Sequence, residues 1–406
     1  MNVIKNLLSI KPIIKLYNKD EYDREINIYK LKNCQFYKTN VFYPNVLLKN
    51  DNGIINPINE AIQSLKNISL NNSTFSISKS NKIDNNPYFF LIYNTDNYYH
   101  FIYDTMPYLI SFFELKKIVP GLKLLMNYPN FQKKSHYKFV IEFLEILSIT
   151  NAQIEIVDSN TIYNTIYVSN SYTHDGKSNL PPRKEVYDFY EKIVNKVKEK
   201  NDLNPNLPKN IYVSRRTWIS KDTSNIGTNY TTKRKLTNED DLVEYLTKKG
   251  YQEIFTENLN TIEKILLFNN AENIIGPIGG GLCNVLFSSK KTNLKVLNSP
   301  GFFDVNERFL YSFENINYDI LNISSHVDVG DIKKYMRVKF DGKVGEIIEV
   351  INDDAVVINY SEIDVAGWNN EISFKKITKK INEIEKIDNG LNSEWEINLN
   401  KLKEIL

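Results

Sequence analysis

The stretch NYYHFIYDTMP carries His100 and Asp104 four residues apart. On a helix that spacing puts both side chains on one face. An imidazole or carboxylate there can take a proton from a hydroxyl. Two arrangements are open. Asp104 takes the proton while His100 binds or orients a substrate, or His100 is the base and Asp104 orients its ring. Asp104 is the preferred base, because an i,i+4 pair need not be hydrogen-bonded. The plain alternative is a satisfied core histidine beside a helix-surface aspartate.

A second stretch, NIIGPIGGGLCNVLFSS, spends three of the chain's 15 glycines side by side, at Gly279, Gly280 and Gly281. They fall between a strand pattern and the start of a helix pattern. Glycines there let the backbone turn tightly and let a ligand approach without Cβ atoms in the way. A helix beginning at that point offers free N–H groups and its positive end to an anion such as a diphosphate. A tight turn needed only for packing is the competing reading. The spacing is neither GxGxxG nor a P-loop. A third set follows the strand pattern IYVSRR: Arg215 and Arg216 at its end, then Arg234, Asn238 and Glu239 at the start of a helix pattern. Arginines at strand ends can grip phosphate through two N–H groups; otherwise they are surface cations.

Elements must place these residues, and the pattern supplies them. YFFLIY (88–93), LKLLMNY (122–128), QIEIVDS and TIYVSN read as strands, and HYKFVIEFLEILSI (136–149) and KEVYDFYEKIVNKVKEK (184–200) as helices. After a Pro- and Asn-rich linker, strands and helices alternate again: NIYVSRR, NEDDLVEYLTKKG, YQEIF, NTIEKILLFNNA, NIIG, LKVLN and a helix over 304–314. Alternation twice over implies two parallel-sheet α/β domains. Residues 338–361 show short β runs without helices, which predicts a small antiparallel barrel. The last segment, from Lys375, reads as a charged helix with a solvated face. The boundaries expected are an irregular or β region over 1–85 packed on the first domain, α/β domains over 86–205 and 206–325, an SH3-like β module over 326–376 and a helical tail over 377–406.

The 406 residues are 42% apolar and 12% aromatic, enough for large cores, and the 51 basic and 49 acidic side chains leave a net charge of +2. That balance argues against a nucleic-acid partner. Cys34 and Cys283 make neither a disulfide framework nor a zinc pattern, and the four histidines show no ligand spacing. No D-x-D motif calls for manganese, so no metal and no cofactor is expected. No window reaches ~18 uncharged apolar residues, and the N-terminus lacks a signal-peptide pattern. A reduced cytoplasmic setting is expected, with N-x-S/T triplets such as those at Asn67 and Asn229 silent.

Together these stretches resemble glycosyltransferase family 61, the group described in bacteria as capsular polysaccharide biosynthesis proteins. Its N-x-x-H-x-x-x-D segment is matched by Asn97, His100 and Asp104. Its Y-[IV]-S-R strand is matched by Tyr212, Val213, Ser214 and Arg215, and its R-x-L-x-N-E helix start by Arg234, Leu236, Asn238 and Glu239. Its G-P-H-G-A-G-L-x-N segment is matched by Gly276, Pro277, Gly279, Gly281, Leu282 and Asn284. Order and spacing agree over roughly residues 88 to 320. Ile278 stands where the family has His, Gly280 where it has Ala and Asn298 where it has Glu. Residues 1–85 and 326–406 lie outside the likeness.

The resemblance implies a GT-B-like α/β fold, two facing Rossmann-like domains, to which the C-terminal module and helical tail are added. It implies an inverting transfer of sugar from a nucleotide-sugar donor to a hydroxyl of a glycan or glycoconjugate. His100 and Asp104 would then be catalytic. Arg215, Arg234, Asn238, Glu239, Gly279, Gly280, Gly281 and Asn284 would bind the donor, and Asn97 and Tyr99 the acceptor. The three departures motivate a rival, a carbohydrate- or nucleotide-binding protein or adaptor that kept the fold and lost the chemistry. Peripheral membrane association and a homo-oligomer formed through the C-terminal region are compatible with either.

Overall fold

The computed structural model describes residues 4–7, 10–38, 46–50, 53–56, 82–92, 97–128, 135–158, 160–173, 181–201, 204–216, 234–300, 316–327, 332–360, 375–390 and 393–406. At 4–6, 37–38, 46–50, 53–54, 56 and 388 the backbone alone is described. The helix expected over 304–314, and Asn67 and Asn229, lie outside these residues. The chain divides after Lys200 into two compact units.

The first unit is built on nine strands: β1 (Ile4–Asn6), β2 (Ile14–Tyr17), β3 (Ile26–Lys38), β4 (Val46–Asn50), β5 (Gly53–Asn56), β6 (Lys82–Phe90), β7 (Lys123–Met126), β8 (Ile154–Ile156) and β9 (Thr161–Ser169). They run in the order β1-β5-β4-β3-β9-β6-β7-β8, with β2 on β3. The segment β9-β6-β7-β8 is parallel. Helices α1 (Tyr108–Lys116), α2 (Lys138–Ile146) and α3 (Lys184–Lys200) belong to it. Apolar runs such as YFF, buried at Tyr88, Phe89 and Phe90, suit a strand covered on both faces. The periodic apolar stripe of α3 buries Val186, Tyr190, Ile193 and Val197.

Residues 1–85 were expected to be irregular or β. Their described part supplies β1 to β5, paired antiparallel except for the parallel pair β1–β5, with β3 joined antiparallel to β9 from Ile28↔Ser169 to Cys34↔Tyr163. The two-residue period that marks a strand is obscured in β3. Asn33 has a left-handed φ of 53°, and Leu31 and Cys34, three apart, are both buried.

The second unit begins with β10 (Asn210–Val213), β11 (Gln252–Ile254), β12 (Asn273–Pro277), β13 (Asn293–Leu297) and β14 (Asn317–Leu321). All are parallel, in the order β11-β10-β12-β13-β14. Helix α4 (Glu239–Lys248) lies between β10 and β11, and α5 (Thr261–Asn270) between β11 and β12. Gly250, just past α4, has the left-handed φ of 85° that helix ends favour. Asn260 and Glu263 close α5 with a capping box. Numbered from β10, the order is 2-1-3-4-5, a doubly wound sheet whose topology reverses between β10 and β12.

The C-terminal strands are β15 (Ser324–His326), β16 (Arg337–Phe340), β17 (Lys343–Asn352), β18 (Ala355–Tyr360), β19 (Lys375–Lys380), β20 (Glu385–Asp388) and β21 (Trp395–Ile397), followed by helix α6 (Leu399–Ile405). An antiparallel sheet runs β19-β18-β17-β16-β20 over its own core of Met336, Val338, Phe340, Ile347, Val356, Ile358 and Tyr360. The helical tail expected over 377–406 is corrected. β19 and β20 form the two ends of that sheet, β21 pairs with β15, and among the described residues of the tail only α6 is α-helical. Trp395 and Ile397 are buried on either side of exposed Glu396, a period of two that the surrounding charge concealed. Among the described residues no helix is long and apolar enough to cross a membrane.

Candidate active site

In open α/β sheets ligands collect beyond the carboxyl ends of strands, at the point where strand order reverses. In the second unit that point lies between β10 and β12. Arg215 follows β10 by two residues and the glycines follow β12 by two. Arg215 is partly buried, and its Nη1 lies 3.4 Å from the carbonyl of Ile278. Loss of hydration lowers its pKa, opposed by the charge of Glu239.

The three glycines do different things. A Cβ at Gly279 would lie 2.7 Å from Arg215 Nη1, and one at Gly281 would lie 2.8 Å from Thr256 Oγ1 and 3.2 Å from Val213 Cγ1. A Cβ at Gly280 would meet nothing within 4 Å. Gly279 therefore admits the guanidinium, Gly281 lets the loop pack on β10 and on Thr256, and Gly280 faces open space. The segment that follows departs from expectation. Leu282–Phe287 is a six-residue 3₁₀ helix buried along its whole length, too short for a useful macrodipole. LCNVLF has no polar face around which a longer surface helix could be built. Asn284 is fully buried and donates to the carbonyl of Gly281 at 2.8 Å, bracing the turn.

Glu239, at the first position of α4, is 1% exposed. Its Oε1 accepts from Tyr212 Oη (2.8 Å), Ser214 Oγ (3.1 Å) and the Arg215 amide (2.7 Å), so one carboxylate oxygen fixes the end of β10. Burial raises its pKa, against the pull of these donors and of the Arg215 charge. Arg216 points its bonds elsewhere, pairing with Glu253 (Nε–Oε1 2.9 Å) and with Asp240. Asn238 uses both ends of its amide on Ile397: Nδ2 donates to the carbonyl at 2.7 Å and Oδ1 accepts from the amide at 3.0 Å. Arg234 has a φ of 56°, a left-handed conformation that costs a residue with a side chain about 1–2 kcal/mol.

In the first unit the segment that carries His100 and Asp104 and runs on to Lys116 is three pieces. Tyr98–His100 is a single α-helical turn, Phe101–Thr105 a π-helical turn, and α1 starts after Pro107. Such π turns are frequent at functional sites. Asn97 caps the first turn, its Oδ1 accepting from the His100 amide at 3.2 Å. His100 Nδ1 and Asp104 Oδ2 are 2.7 Å apart, with the His100 side chain 17% exposed and that of Asp104 0%. Thr173 Oγ1 donates to the other oxygen, Oδ1, at 3.4 Å, and the Thr173 amide is held by Ser171 Oγ at 3.1 Å. Tyr99 is 3% exposed and stacked on Tyr103 with ring centroids 5.2 Å apart.

Residues 98–294 match the family model for Glycosyltransferase 61. Over that span the chain is similar to glycosyltransferase family 61. No curated protein matches it.

The structure distributes the sequence-selected residues over both units. It brings His100 and Asp104 into contact in the first. In the second it gathers Arg215, Glu239 and Gly279–Gly281 at one sheet end. Asn97, Asn238 and Asn284 use their amides on the chain's own backbone, and Tyr99 presents almost no surface. Among the described residues no group of three or more His, Cys, Asp or Glu could hold a metal ion. Sequence reading missed Thr173, Thr256 and Trp395. A lone threonine or tryptophan carries no spacing signal, and each acquires its place only when distant strands pair.

Proposed function

We propose that the chain is an inverting, metal-independent GT-B-type glycosyltransferase of polysaccharide biosynthesis in the cytoplasm. One α/β unit would serve the nucleotide-sugar donor, and the other the acceptor glycan or glycoconjugate. The observation that carries this reading is Arg215 beside an open glycine turn at the reversal point of a 2-1-3-4-5 sheet. Such a place suits a diphosphate, which backbone N–H groups and a forked guanidinium can hold.

The chemistry follows from the His100–Asp104 pair. Asp104 is closed off from solvent and bonded to Nδ1, so it orients the ring. Nε2 of His100 is then the base. It takes the proton of an acceptor hydroxyl as that oxygen forms a bond to the anomeric carbon. The bond from that carbon to the diphosphate oxygen breaks, and its electron pair leaves with the diphosphate. One displacement inverts the anomeric centre. Arg215 and Arg234 would stabilise the charge that develops on the leaving group.

A thermal-shift series with UDP-, GDP-, CMP- and TDP-sugars tests the donor half. A donor present at about 100 times its Kd should stabilise the fold by about 2.7 kcal/mol. If none of the four moves the melting temperature, the donor reading fails.

A further inference from the structure

The last strand of the chain is strapped to the segment that carries Arg234. Trp395, 1% exposed, donates from its indole Nε1 to the carbonyl of Arg234 at 2.8 Å. Its amide donates to the carbonyl of Lys235 at 3.0 Å, and its carbonyl accepts from the amide of Thr237 at 2.9 Å. Leu236 and Trp395 form a parallel bridge, and Asn238 clamps both backbone groups of Ile397. Residues 234–238 thus have their backbone shape set by residues 395–397, including the left-handed turn at Arg234. The next residue, Glu239, holds the amide of Arg215. One bonded path runs from the C-terminus to both arginines of the proposed donor site.

We infer that Trp395 is a positioning residue for the donor site, and that β21 belongs to the transferase machinery rather than to a separable C-terminal module. The inference rests on the donor reading of Arg234 given above. Burial alone does not account for the arrangement. Leu402 is equally buried in the same core cluster, yet the strap to residues 234–238 is made by Trp395 and Ile397. A leftover left-handed residue would relax if its carbonyl lost its partner, and Arg234 would move with it.

The test compares Trp395→Phe, Leu402→Ala and Arg234→Ala in the full chain. Each is titrated with UDP, GDP and dTDP at a temperature where it is folded. Trp395→Phe should raise the Kd of the tightest-binding nucleotide roughly threefold to tenfold, the worth of a lost buried hydrogen bond. Leu402→Ala should lower the melting temperature and leave the Kd within about twofold, because the bonds to residues 234–238 come from Trp395 and Ile397. In the wild-type chain, saturating nucleotide should also slow hydrogen exchange at the amides of Thr237, Trp395 and Ile397, a readout that needs no variant. If Arg234→Ala weakens binding while Trp395→Phe behaves as Leu402→Ala does and exchange at those amides is unchanged, the positioning role is overturned and the donor reading stands. If Arg234→Ala binds normally, or the wild type binds none of the three, the diphosphate reading of the donor site falls and takes this inference with it.

Discussion

The imidazole of His100 and the carboxylate of Asp104 meet at 2.7 Å, Nδ1 to Oδ2, and only the histidine reaches solvent. The preference for Asp104 as the base assumed that the two side chains need not touch. They do, and a carboxylate with no exposed surface is placed to orient a ring rather than to meet an acceptor.

His100→Gln should therefore be the more damaging change, removing the base outright. Asp104→Asn should cut turnover about 10²–10⁴-fold through loss of ring orientation. Nucleotide affinity should stay near normal in both, because the residues proposed to hold the donor belong to the other α/β unit. Steady-state kinetics with donor Kd measured separately decides this. Near-normal turnover in His100→Gln would return the role of base to Asp104.

Thr173 extends the pair through the second carboxylate oxygen. Thr173→Val keeps the shape and removes the donor, so kcat should fall up to about tenfold with KM unchanged. Thr173→Ser should restore most of it. A merely structural threonine would show the reverse, with both variants altering the melting temperature and neither altering kcat.

Much of this site was legible because its signals are local. The His100–Asp104 spacing, the strand ahead of Arg215 and the strand ahead of the glycines can each be read in a window of a dozen residues. What escaped depends on pairing over long sequence separations. Asn238 reads as a ligand-binding amide until Ile397, 159 residues away, takes both of its bonds. The helical tail fails for a related reason. In KKITKK the lysines imitate a solvated helix face, yet the run pairs with β18 from Tyr360↔Lys375 to Ala355↔Lys380. Charge pattern alone does not separate an edge strand from an exposed helix. The helical spacing read in NYYHFIYDTMP does not run on unbroken, because the ring of Pro107 removes a backbone donor and interrupts the hydrogen-bond ladder.

The glycines separate ligand space from packing space. Gly281→Ala forces its Cβ onto Thr256 and Val213 and should cost about 1–3 kcal/mol of stability. Gly279→Ala meets only the mobile end of Arg215. It should spare the fold and weaken nucleotide binding much as Arg215→Ala does. Gly280 lies outside the left-handed region with no protein atom near its missing Cβ, so Gly280→Ala should be neutral or stabilising by about 0.4–1 kcal/mol. Gly280→Val then becomes a clean probe of the ligand. Lost nucleotide binding with an unchanged melting temperature would place the diphosphate over this residue, and normal binding would remove it from there.

The adjacent arginines should part company. Arg215→Ala should weaken nucleotide binding by about 1.5–3 kcal/mol, with only partial rescue by lysine. Arg216→Ala leaves Glu253 without its forked partner. It should lower stability by about 1–2 kcal/mol without changing the Kd. Calorimetric melting and nucleotide titration on both variants check the split, and equal effects on binding would mean that Arg216 also faces the donor.

Glu239 gives a prediction in pH. Burial raises its carboxyl pKa above the ordinary value, although three donors and Arg215 pull the other way. A group whose pKa is higher in the folded state binds its proton more tightly there. Its contribution to stability is fully present below the unfolded pKa of about 4.3 and is lost as pH rises through the folded value. Glu239→Gln keeps the accepting oxygen and cannot ionise, so that loss disappears. The stability of the glutamine variant relative to wild type should climb as pH is raised from about 4, then level off once the folded carboxyl has ionised. Urea unfolding at a series of pH values measures the difference directly. A relative stability that falls over the same range would mean that Tyr212, Ser214 and the Arg215 amide outweigh burial. Glu239 would then be held as a carboxylate at the start of α4 throughout.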